Sequence, residues 1–189
     1  MSKLYFYYIA ILFFCTLFNP IYAQPQKGEF INASLGIGVC APNDETEVNG
    51  SGFYAQVEYV WSPLSWFGVR PYAGVIIASG KSDEKVIPES SVKSNAALLG
   101  AKVRLAAPIP YVAPFIESGV GLSAGSFETH TPYTNLKKNG VLLHIPVSFG
   151  LAIGRKHNYE VKFTYYFHNS VEQFSGAAAL GFSFPIHNN

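Results

Sequence analysis

The catalytic-looking constellation in this chain is His168-Asn169-Ser170, with Glu172 following. An imidazole two residues from a hydroxyl shares a face with it on any extended strand, and a nearby carboxylate can orient the ring. The trio His168, Ser170 and Glu172 therefore has the parts of an activated nucleophile. The same i, i+2 spacing also arises wherever a strand ends in polar residues. A second group is ionic: Glu58, Arg70, Lys102, Arg104, Glu117, Glu160 and Lys162 each alternate with apolar neighbours. Other chemistry has little support. His130 and His144 are isolated, and CxxC, HExxH and glycine-rich phosphate loops are absent, so no metal and no cofactor is expected.

The elements that must position these groups are strands. Alternation of apolar and polar residues runs through most of the chain, and no sustained helical period competes with it. It is clearest at 141–154, where Val141, Leu143, Ile145, Val147, Phe149, Leu151 and Ile153 share one face. Seven further runs, at 31–40, 53–61, 67–77, 97–105, 116–124, 159–168 and 177–184, make eight. Their lengths approach the ~9–11 residues of a tilted membrane-crossing strand. The connections alternate. Four are long (41–51, 79–94, 127–139 and 169–175) and the three between them are short (62–66, 107–112 and 155–158). In an up-and-down barrel the four long ones share one end. The charged alternating residues then lie near the short-turn end, where three acids and four bases should pair and plug the lumen. No open channel is expected, because eight strands leave room only for side chains.

The polar face is rich in glycine, at Gly36, Gly38, Gly68, Gly74, Gly100, Gly119, Gly121, Gly150, Gly154 and Gly181. A solvent face would not favour glycine, which weakens strands, but a narrow barrel interior needs small residues. Aromatics near the strand ends of the apolar face (Phe53, Tyr59, Trp61, Phe67, Tyr159 and Phe167) suit interfacial girdles. The apolar face is thus expected outside, against lipid. A soluble lipocalin-like barrel with that face inside is the rival. The inward residues of the long-loop half, among them Tyr54, Ile76, Leu98, Ser123 and Ala179, either pack against Tyr72 and Tyr166 or leave space for a small hydrophobe.

Composition narrows the classes. The 189 residues are 49% hydrophobic and 13% charged, with a formal net charge of +1. About 25% charged is usual for soluble domains. A disordered tail, a coiled coil and a basic nucleic-acid binder are excluded. Lys3 precedes an uncharged run at 4–18, a break at Asn19-Pro20, and a cleavage pattern ending at Ala23. Residues 1–23 are expected to be a cleaved signal peptide, and 24–189 the barrel domain. The apolar run is shorter than the ~20 residues of a spanning helix. Cleavage would remove Cys15 and leave Cys40 without a disulfide partner.

With its leader, its alternating strands, its long and short loops and its terminal Gly181-Phe182-Ser183-Phe184, residues 28–186 resemble the OmpA/OmpX-type outer-membrane barrels. The resemblance implies an all-β, eight-stranded antiparallel up-and-down transmembrane β-barrel in a Gram-negative outer membrane. It also implies a monomer in contact with membrane lipid and lipopolysaccharide, and recognition of Phe184 by the barrel assembly machinery. The role implied is structural or surface-interacting, with four external loops whose ligands the sequence does not name. The pair His168 and Ser170 also resembles the PagL-type lipid A deacylases, where such residues are base and nucleophile. That family has an Asn after the Ser and a later Glu. Here Val171 follows, and no acid lies beyond Glu172. An acyl-ester hydrolase is the enzymatic alternative, and a carrier of small hydrophobes through the barrel interior is another.

Overall fold

The structure, a computed structural model, describes residues 25–44, 48–82, 90–168 and 170–186. The expected leader and the middle portions of the first and second long connections lie outside the described residues, as does Asn169.

The strands are β1 (Gly28–Pro42), β2 (Gly50–Ser62), β3 (Phe67–Lys81), β4 (Ser91–Ala106), β5 (Val112–His130), β6 (Asn135–Ile153), β7 (Tyr159–Phe167) and β8 (Gln173–Pro185). Each pairs antiparallel with its neighbours in sequence, and β8 returns to β1, closing the barrel. The phase of the alternation is the expected one. Leu35, Leu99, Val120, Phe149 and Leu180 face outward, each more than 60% exposed, while Asn32, Gln56, Glu58, Arg70 and Lys102 on the opposite face are buried. Phe184 also faces outward, paired with Ile31, and the Ile186 amide beyond it donates to Glu29 O at 3.0 Å.

The third long connection differs from its expectation. Residues 127–139 are not a loop. β5 and β6 continue as a paired ribbon as far as His130↔Asn135, with β4 still paired to β5 up to Ser91↔His130, and a turn joins them in which Thr131 N donates to Thr134 O at 2.8 Å. An exposed Lys137–Glu128 ion pair of 2.8 Å crosses this ribbon. With polar residues predominating on both of its faces, the ribbon carries little hydrophobic alternation to reveal it in sequence. β7, by contrast, stops at Phe167, one residue before His168.

Two prolines mark the ladders. Pairing lapses between Glu58↔Tyr72 and Trp61↔Val69, where Pro71 stands. It lapses again between Ser118↔Val147 and Gly121↔His144, where Pro146 stands. Proline brings no N–H to a ladder.

Glycine is required where the lumen is tightest. A Cβ on Gly36 would lie 2.0 Å from Ala178 O and 2.6 Å from Ala179 Cα, both backbone atoms that cannot swing aside. The variant Gly36→Val is expected to lose about 1–3 kcal/mol of stability from forced strand displacement. Ala33→Val, on the outward face, is expected to lose little. Equilibrium urea unfolding in detergent micelles separates the two.

Candidate functional site

The seven charged residues singled out from sequence meet in the lumen. They come from β2 (Glu58), β3 (Arg70), β4 (Lys102 and Arg104), β5 (Glu117) and β7 (Glu160 and Lys162). Six of them are at most 3% exposed, and the Arg104 side chain is 12% exposed. Glu58 faces three bases: Arg70 Nε and Lys162 Nζ, each at 2.5 Å, and Lys102 Nζ at 2.8 Å. The Arg70 contact is an ion pair without an aligned hydrogen bond. Glu117 takes Lys102 at 2.8 Å and Arg104 at 2.6 Å. Glu160 accepts from both Nη1 and Nη2 of Arg104, at 2.7 and 2.9 Å, a bidentate fork. Arg70 Nη1 bridges Glu117 at 3.2 Å and Glu160 at 3.1 Å. The Arg104 guanidinium also lies 3.5 Å from the centre of the Phe115 ring.

Alternation places the layers above. Gln56, two residues along β2, donates to Glu58 Oε1 at 2.5 Å and accepts from Tyr54 and Tyr166 at 2.7 and 2.9 Å. The long-loop half of the interior carries a packed core among the described residues. Tyr54, Tyr72, Ile76, Leu98, Phe127 and Tyr166 form one buried cluster there. The sequence left packing and a ligand space open as alternatives, and in this cluster the described side chains pack against one another.

His168 is buried in this upper layer, 5% exposed, and its hydroxyl partner is Ser123 on β5. Ser123 Oγ lies 2.9 Å from His168 Nε2 and 2.7 Å from His144 Nδ1, and His144 Nε2 lies 2.5 Å from Tyr72 OH. Both imidazoles can be neutral. The Tyr72 hydroxyl then donates to His144, His144 donates to Ser123, and Ser123 donates to His168. Ser123 is fully buried, so this relay is shut off from both lipid and solvent.

The trio read from sequence is not brought together. Ser170 is half-buried and makes no side-chain hydrogen bond among the described residues. Glu172 is exposed at the loop rim, where its Oε2 accepts from Thr134 Oγ1 at 3.4 Å and its backbone oxygen accepts from Asn43 N at 3.1 Å. The i, i+2 argument needs an extended chain, and the strand has already ended. Sequence reasoning missed Ser123, Tyr72 and His144 as the partners of His168. Their spacing is set by the stagger between strands, which no local pattern carries.

No family model matches the chain, and no curated protein matches its sequence. Solved structures do match. Neisserial surface protein A aligns with a TM-score of 0.54 at 11% identity, over 85% of this chain and 98% of that one. OprG, an outer membrane protein of Pseudomonas aeruginosa, aligns at 0.52 and 10% identity, over 86% and 99%. The fold is that of the eight-stranded outer-membrane β-barrels. The outer membrane enzyme PagL aligns at 0.45 and 14% identity, over 83% and 99%, too distant for its activity to bear on this chain. A shared barrel fixes architecture and leaves function to the site.

What the lumen can do follows from its charges. Each carboxylate sits between at least two bases, so removing one strands several buried cations. The variant Glu58→Gln is expected to lose about 3–5 kcal/mol, the usual penalty for breaking a buried ion pair. Glu128→Gln, in the exposed ribbon pair, is expected to lose less than about 1 kcal/mol. Urea unfolding in micelles reads both.

Proposed function

We propose that the protein spans the outer membrane of a Gram-negative cell as a closed, monomeric barrel. It acts as a rigid base that presents four connections at its long-loop end to partners outside the cell. The observation that carries this reading is the combination of an apolar outside with a filled inside. Large apolar side chains on every strand point outward and stay exposed, which suits lipid and the lipid portion of lipopolysaccharide. Within, ion pairs, a tyrosine cluster and the histidine–serine relay are stacked through the described lumen, which supports a closed barrel. Phe184, exposed on the last strand, is the feature offered to the assembly machinery. The long-loop end is the surface available to partners. There the β5–β6 ribbon ends in Tyr133, 76% exposed, and Asp44 accepts from Thr131 Oγ1 at 2.5 Å, tying the first connection to the ribbon tip.

Two measurements test the reading. In planar bilayers the refolded protein is expected to give no steady conductance, and large stable openings would overturn the plugged lumen. For orientation, Tyr133→Cys is expected to react with a membrane-impermeant maleimide on intact cells. Lys156→Cys, at the opposite end, is expected to react only once the outer membrane is permeabilised. The reverse pattern, or free periplasmic protein, would contradict the proposal.

A further inference from the structure

The charges that plug the lumen do not cancel. Among the described residues Arg70, Lys102, Arg104 and Lys162 face the carboxylates Glu58, Glu117 and Glu160 and no others, which leaves one formal positive charge over in a low-dielectric interior. The excess has an address. Arg70 is 1% exposed, and its Nε and Nη1 are engaged by the three carboxylates. Its Nη2 has no hydrogen-bond partner among the described residues.

Arg70 also lines a cavity of about 60 Å³ that opens at the short-turn end. That is room for a few waters or one compact ion. His157, in the turn between β6 and β7, lines the same cavity. It is 5% exposed and held in the left-handed backbone region at φ 54°. Its Nε2 donates to Ile109 O at 3.1 Å, which leaves Nδ1 on the other side of the ring, and Nδ1 too is buried without a partner among the described residues. Lys156 and Arg104 complete the basic wall. Glu160 is the one carboxylate on this wall, and both its oxygens are occupied by Arg104. Two orphaned polar atoms on two deeply buried side chains, beside a surplus cation, describe a place for a negative charge.

We propose that this cavity binds a compact oxyanion of the phosphate class. Arg70 Nη2 donates to it from within the lumen and Lys156 Nζ from the mouth. His157, with its ring doubly protonated, donates from Nδ1 while Nε2 keeps its bond to Ile109. Binding neutralises the lumen and closes the short-turn side of the plug. The occupant is either free phosphate or the phosphate of a lipid head group at that membrane face.

Trp66 lines the cavity and is one of only two tryptophans in the chain, so its fluorescence reports on the site. In a Trp61→Phe background, in neutral detergent at constant ionic strength, inorganic phosphate is expected to shift Trp66 emission saturably. Arg70→Gln removes the centre of the plug and can unfold the barrel, so the test rests on the mouth. Lys156→Gln and His157→Asn take no part in the carboxylate network, and asparagine tolerates the left-handed backbone. Each is expected to weaken phosphate binding about tenfold, the loss of one charge-assisted hydrogen bond. Thermal unfolding is expected to be unchanged for Lys156→Gln, and His157→Asn, which also gives up the bond to Ile109 O, is read only at temperatures where its own unfolding curve shows it folded. Adding phosphatidylglycerol to the micelles assigns the source. Suppression of the phosphate response identifies a lipid head group, and persistence identifies the free anion. No response to either, or a response unaltered in both variants, would overturn the proposal.

Discussion

A sheet that faces hydrocarbon can leave no backbone donor or acceptor at an edge, because lipid offers neither water nor any other partner. Much of this molecule follows from that requirement. The sheet closes through β8 onto β1. Closure at eight strands makes the interior narrow, so at Gly36 a neighbouring carbonyl occupies the place of a side chain. The outward residues then need only be apolar, while the inward residues must fit one another.

That fit is graded along the axis. At the short-turn end it is ionic, with carboxylates and bases in mutual contact. Gln56 carries the network upward, since its amide nitrogen meets a carboxylate and its oxygen meets two tyrosine hydroxyls. Above it the polarity falls to phenols, imidazoles and one hydroxyl, and at the loop end to pairs such as Ser94 with Ser175 and Thr129 with Gln173. The hydrogen-bond partners thus change stepwise from charged to neutral. Buried charge is confined to the level where oppositely charged groups from five strands can reach one another.

How much of this the sequence disclosed depends on the distance over which each signal acts. The face of Leu35 or Glu58 is decided by the residues beside it, so period-two alternation carried the strands, their phase and the inward charges. The ribbon beyond Ser126 lies where polar residues predominate on both faces, and there the pattern falls silent although the backbone pairing continues. The union of His168 with Ser123 spans 45 residues and depends on how far each strand is staggered against the next. Ser170 looked like the partner because it was near in sequence, but the chain leaves the strand at Phe167. The uneven count of acids and bases was visible from the start. Its consequence lies at Arg70 Nη2, which is left without a partner among the described residues by the stagger of the strands around it.

The distribution of the plug over the chain bears on how the barrel is made. Strands β2 to β5 supply Glu58, Arg70, Lys102, Arg104 and Glu117, so a hairpin array synthesised that far already holds three bases against two acids. Glu160 arrives on β7, next to last, together with Lys162, so the surplus of one base persists, and with Glu160 comes the fork that engages Arg104. Until β7 docks, Arg104 lacks one of its two carboxylate partners, and these groups are better solvated by water than by a half-formed lumen. The ion network thus gains its last contacts from the strand that precedes closure, so the interior and the wall reach completion together.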